Sequence, residues 1–204
     1  MRTLVILALA VVGFGCGPKH PPVDLSGRWP TTAEDYDKTT GRWTRSGQTR
    51  DQYQEILELA ATFRSPEWRA AYASRDAYFR GLQGAAREAR MAQAKADDAG
   101  PYEVELMVTT WDRRENDLDR GKKSIWRVVL LDDQDNEIEP IEIVKDKRPA
   151  FTVRSDFPAF GDFAVAYIAR FPRDKQLLGP NVARLRLRMS SVRGFVVLTW
   201  DAKR

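Results

Sequence analysis

The period of the hydrophobic pattern changes at Gly100-Pro101, and that change constrains what the chain can fold into more than any other feature. Upstream, Trp68, Tyr72, Phe79, Leu82 and Ala86 recur at helical spacing, the rhythm of a helix that buries one face. Ser65-Pro66-Glu67 sets its start: a Ser cap, a Pro whose missing N–H costs nothing in the first turn, and an acid facing the helix dipole. An earlier series, Tyr53, Ile56, Leu57, Ala60 and Phe63, has the same rhythm. Residues 49–99 therefore read as a helical hairpin, Ala-rich and charged from about Arg87. Downstream of Pro101, Tyr102, Val104, Leu106 and Val108 alternate with Glu103, Glu105, Met107 and Thr109, the two-residue period of a half-buried strand.

Further strands are expected at about 124–131, 137–144, 151–153, 163–171, 183–189 and 195–200. Short strands punctuated by turn signals predict an antiparallel β-sandwich, immunoglobulin-like, over residues 100–204. The expected class is α+β, a helical hairpin followed by that sandwich. With 43% hydrophobic residues the chain can form a core. One Cys and one His leave no intramolecular disulfide, iron–sulfur cluster, thiolate zinc site or multi-histidine metal site, so neither metal nor cofactor is expected.

Before the helical stretch lie four segments of different character. Met1-Arg2-Thr3 precedes an apolar run from Leu4 to Phe14, too short for a permanent span of about 20 residues but suited to the core of a secretory signal. The only cysteine, Cys16, follows Gly15 directly after this run. That arrangement resembles the lipobox of bacterial lipoproteins, over roughly the first 20 residues. The resemblance implies a signal peptide of residues 1–15, lipid attachment at Cys16 and acylation of the new amine. Gly17 in place of Asp after the Cys implies outer-membrane delivery in a Gram-negative bacterium, on the periplasmic or surface face. Gly17 to Val23, with three prolines, reads as an extended tether containing a solvated His20. Asp24 to Trp29 reads as a short extended segment whose Trp docks on the core, and residues 30–48 as polar turns with Trp43 as a plug. The string VDLSGRW resembles the mature start of lipoproteins related to penicillin-binding-protein activators, which implies activation of peptidoglycan synthesis as an alternative role.

Charge is concentrated. Residues 64–95 hold Arg64, Arg69, Arg75, Arg80, Arg87, Arg90 and Lys95 against Glu67, Asp76 and Glu88, an excess equal to the whole chain's net charge of +4. At 100° per residue Arg69, Arg80 and Arg87 share one helical stripe, a candidate contact for anionic lipid, lipopolysaccharide phosphate or wall polymer. Arg184, Arg186 and Arg188 share one face of a strand, either as an anion-binding row or paired across strands with acids such as Glu103 and Glu105. Trp111, at the base of the charged stretch 111–123, reads as an interface anchor or as a cover on the sandwich end. Asp133, Asp135 and Glu137 have the spacing that opens a calcium loop, but Ile138 and Val144 stand where an EF-hand needs Gly and Glu, so a solvated turn is expected. The sequence contains no nucleophile elbow, P-loop or metal motif. The expected function is a non-catalytic binding or scaffolding module. Its expected partners are the membrane, through the lipid, and another envelope protein or an anionic wall or lipid polymer; nucleic acid is not expected. The competing class is an enzyme of unrecognised type, which a carboxylate pair facing a deep pocket would favour.

Overall fold

Alternation builds one face of a sheet directly: Val104, Leu106 and Val108 are fully buried on one side of β3 (Tyr102–Thr110). The computed structural model describes residues 20–51 and 54–203; Cys16, the signal segment 1–15 and Tyr53 lie outside the described residues. The fold is α+β with two antiparallel sheets. With β1 (Thr44–Asp51), β2 (Gln54–Phe63), β6 (Glu142–Lys145) and β7 (Val165–Phe171), β3 forms a five-stranded sheet in the order β1-β2-β3-β7-β6. The second sheet has the order β5-β4-β8-β9, from β4 (Arg127–Leu131), β5 (Glu137–Ile138), β8 (Arg184–Ser191) and β9 (Gly194–Asp201). Leu57, Leu59, Phe63, Leu106 and Phe171 of the first sheet share one core with Val128, Leu187, Met189, Leu198 and Trp200 of the second. This two-sheet arrangement is compatible with the immunoglobulin-like expectation.

Residues 49–51 and 54–63 are not helical. They belong to β1 and β2, which pair antiparallel: Thr44 pairs with Thr62, and Leu57 pairs onward with Thr110 of β3. Leu57, Leu59, Ala61 and Phe63 face the shared core, while Ile56, Ala60 and Thr62 are buried on the opposite side. From Leu59 to Phe63 both faces are covered, while Glu55 and Glu58 stand three apart, so periodicity alone cannot separate this strand from a helix. The helical hairpin therefore starts at Pro66 and comprises α2 (Pro66–Phe79) and α3 (Gly84–Asp98), preceded in the chain by α1 (Tyr36–Trp43). The Ser65 hydroxyl caps α2 by accepting from the Trp68 N–H at 3.1 Å. Gly81, at φ +64°, ends it: the Leu82 N–H reaches the Ala77 carbonyl at 2.8 Å and the Gly81 N–H the Tyr78 carbonyl at 3.0 Å.

Two other expected strands change character. Pro140 divides 137–144 into β5 and β6, which join different sheets; a residue without an N–H cannot continue a ladder. Residues 151–153 lie inside a helix, α4 (Ala150–Asp156), which follows Pro149. The segment 24–29 turns instead of extending, and buried Val23 and Leu25, not Trp29, dock it. Val23 pairs with the end of β9, its N–H donating to the Asp201 carbonyl at 2.9 Å. Trp43 is fully buried, as a plug should be. At this corner Arg45 is also buried, and its guanidinium donates to the carbonyls of Pro21, Arg42, Thr44 and Thr199 at 2.7–3.0 Å.

The opposite face of the five-stranded sheet carries Glu103, Glu105 and Met107 on β3 and Ile168 and Arg170 on β7, which share a face by register. The helices lie near this face. Trp68 of α2 stacks between Tyr72 (ring centroids 5.1 Å apart) and Phe157, beyond α4 (5.6 Å).

A candidate binding groove lined by arginines

Between α2–α3 and that sheet face lies a groove of about 680 Å³. Its polar lining comes from separate elements: Arg64 at the end of β2, Arg69 on α2, Arg90 on α3, Glu103 on β3, Arg170 on β7, and Asp146 and Arg148 just after β6. Trp68 and Tyr72 add an aromatic wall.

Glu103 is the hub. Its carboxylate accepts from Arg64 Nη1 at 2.9 Å, Arg69 Nη2 at 3.1 Å and Arg170 Nε at 2.9 Å. Burial works against its charge, but Arg64, Arg170 and Arg69 outweigh burial and hold the carboxyl down at about 2. Glu105, two residues on and on the same face, is fully buried. Its Oε2 accepts from Arg64 Nη2 at 2.5 Å, whereas Arg148 Nη2 stands 3.7 Å from Oε1, too far for a hydrogen bond. Oε1 is buried without a partner. Burial pushes this carboxyl up to about 7; Arg64 opposes the shift, the neighbouring Asp146 carboxylate adds to it, and Arg148 opposes it. Arg148 itself is clamped, giving Nε and Nη2 to Asp146 at 2.8 and 2.5 Å and Nη1 to Asp156 at 2.6 Å.

Carboxylates fix these guanidinium groups without exhausting them. Arg90 spends its Nε on Asp76 at 2.6 Å, and its terminal nitrogens make no hydrogen bond among the described residues. Arg170 uses Nε and Nη1, on Glu103 and Glu142, and keeps Nη2. The Nε atoms of Arg64 and Arg69 are buried without a hydrogen bond, and Arg69 Nε lies 3.6 Å from Asp98 Oδ1. Five arginines line the groove with the carboxylates of Asp97, Glu103 and Asp146; Asp76, Asp98, Asp156 and Glu142 hold the same arginines from the sides, and Glu105 lies beneath. A pre-oriented set of forked donors with spare N–H groups recognises planar or tetrahedral oxyanions.

Of the candidate contact residues Arg69, Arg80, Arg87, Trp111, Arg184, Arg186 and Arg188, only Arg69 reaches this groove. Arg80 sits in the turn after α2, exposed and paired with Asp76 at 3.5 Å, and Arg87 lies exposed on α3. The Arg69, Arg80 and Arg87 stripe does not exist, because the turn at Gly81 interrupts the helix on which it was drawn. Arg184 pairs with Asp201 at 2.9 Å, Arg186 with Asp135 and Arg188 with Glu137. That row is thus paired with acids, but with those of β9 and the 132–137 turn, not Glu103 and Glu105. In the same turn Asp133 accepts from the backbone N–H groups of Ala183 and Arg184 at 2.8 and 2.6 Å. Trp111 is 66% exposed at the far end of β3, so it does not serve as a cover. Sequence reasoning missed Arg64, Arg90, Glu103, Asp146, Arg148 and Arg170 as site residues. The available signal was Glu103 and Glu105 on the polar face of a strand: two carboxylates on a face that also carries Met107 are unusual unless cations meet them.

Among the described residues no helix is long and apolar enough to cross a membrane. No family model, curated protein or solved structure matches this chain.

Proposed function

We propose that the chain is a lipid-anchored protein of the Gram-negative envelope, held at the outer membrane through Cys16, and that it works as a non-catalytic binding module whose groove takes an oxyanionic group of a wall or lipid polymer. The anchor rests on the lipobox resemblance. The binding reading rests on one observation, the convergence of five arginines from separate elements on one groove, with terminal N–H groups of Arg90 and Arg170 to spare. Activation of peptidoglycan synthesis, suggested by VDLSGRW, is one process such a module would serve.

One observation favours an enzyme instead: Glu105, raised toward neutrality, sits beside Asp146 at the groove. Glu105 is fully buried and bonded to Arg64, so a ligand in the groove meets guanidinium groups first. The pair is better placed to set the charge of those groups than to attack a substrate.

The test uses sulfate as a probe anion, with the full chain in nonionic detergent at about pH 6, where Glu105 is mostly neutral. Arginine Nε–H resonances should shift on titration, and the double variant Arg90→Gln, Arg170→Gln should lose most of the affinity. Binding should weaken as salt rises through about 0.15 M. Undiminished binding by the double variant would place the anion elsewhere. Sacculi and phosphatidylglycerol vesicles then separate wall from lipid as the source. Independently, Cys16→Ala should release the protein from membranes; a variant that sediments with them as wild type does would remove the anchor.

A further inference from the structure

Glu105 is a buried acid whose surroundings do not complete its hydrogen bonding. Groups from each neighbouring element bear on it or on its partners. Arg64, after β2, bonds its Oε2; Arg148 and Asp146, after β6, lie beside Oε1; Asp156 of α4 holds Arg148 in place. On its own strand Glu103 is committed to Arg69 of α2 and Arg170 of β7, so neither of those arginines is diverted to Glu105. A charged oxygen buried without a donor is unfavourable. A proton on Oε1 removes the charge and supplies a donor, which the Asp146 carboxylate accepts.

We propose that Glu105 is a proton-operated control on anion binding in the groove: protonated, it leaves Arg64 and Arg148 to attract the ligand, and ionised, it takes up their charge and loosens the ligand's hold. The inference rests on the anion-binding reading above. Ionisation of Glu105 adds a negative charge directly beneath these arginines, on an oxygen already bonded to Arg64. The proton comes from solvent and rests between Glu105 and Asp146. Because linkage is reciprocal, filling the groove raises the proton affinity of Glu105, so binding near neutrality takes up protons.

Sulfate is again the probe, since its charge is constant across the neutral range. Its affinity for the full chain in nonionic detergent is measured at about pH 6 and about pH 8, spanning the Glu105 titration. Wild type should bind about tenfold more weakly at the higher pH, the size of one pKa unit of linkage. Glu105→Gln, which holds the neutral form, should bind at both pH values as wild type does at the lower. Wild-type affinity equal at both would overturn the control and leave the anion site standing. No binding at either would overturn both readings. PH dependence retained in Glu105→Gln would move the proton to another group and end the assignment. A readout that does not require the variant to fold is the carboxyl ¹³C resonance of Glu105 in the wild-type chain. It should titrate near neutrality, and a resonance already fully ionised at about pH 6 would overturn the inference.

Discussion

Two glutamates on one face of one strand, two residues apart, are driven in opposite directions. Glu103 has three arginine partners and stays ionised far into acid; Glu105 shares one of them, is fully buried, and holds its proton up to about 7. Their contributions to stability have opposite signs. Glu103, lowered to about 2, stabilises the fold fully above its unfolded pKa, and that contribution is lost as pH falls toward 2. Glu105, raised, binds more protons folded than unfolded, so stability falls as pH rises from about 4.5 to about 7 and levels off above. At roughly 1.4 kcal/mol per pKa unit, the Glu105 contribution is on the order of 3 kcal/mol. Urea midpoints at about pH 5 and about pH 8 should therefore drop for wild type and stay level for Glu105→Gln. A level wild-type profile would mean that Arg64 and Arg148 suffice to keep Glu105 ionised.

At the scale of elements, close approach and chain reversal make different demands on glycine. Gly47 of β1 faces β9, where an added Cβ would meet Val196 Cγ1 at 2.8 Å and Leu198 Cδ2 at 3.2 Å. That contact closes the corner between the two sheets. Gly81 faces open space but holds φ +64° at the end of α2. Gly47→Val should cost about 1–3 kcal/mol by overpacking the corner, and Gly81→Ala about 1–2 kcal/mol from the left-handed backbone alone. Denaturant midpoints rank the two. Sulfate affinity should survive Gly47→Val, because the corner lies across the sheet from the groove; a loss there would show that the two sheet faces are coupled.

For the molecule as a whole, Pro101 marks a change of period but not a boundary of folding. Residues 100–204 lack β1 and β2, which supply Leu57, Leu59 and Phe63 to the shared core, and also lack Arg64, the hydrogen-bonded partner of buried Glu105. That fragment should show no cooperative thermal transition, whereas the full chain should show one. A fragment that melts cooperatively, with strand-rich circular dichroism, would restore the sandwich as an independent unit. The groove depends on the same integration, since its arginines come from both sides of Pro101.

Much of the local structure was legible in the residues. The Ser65-Pro66-Glu67 start of α2, the alternation of β3, β8 and β9 and the burial of Trp43 follow from short-range rules. The first helix has local signals too: Asp35 caps it, and Tyr36, Thr39, Thr40 and Trp43 are spaced for one buried face. Local sequence could not decide between strand and helix at residues 54–63, because Leu59 to Phe63 is buried on both faces and the polar Glu55 and Glu58 stand three apart, as on one side of a helix. Nor could it locate the groove. The arginines there are neither neighbours in sequence nor members of one stripe; strand register and the turn at Gly81 bring Arg64, Arg69, Arg90, Arg148 and Arg170 together. The shift of Glu105 toward neutrality is likewise a tertiary property, because a carboxyl's proton affinity depends on how deeply it is buried and which charges face it, and both depend on distant parts of the chain.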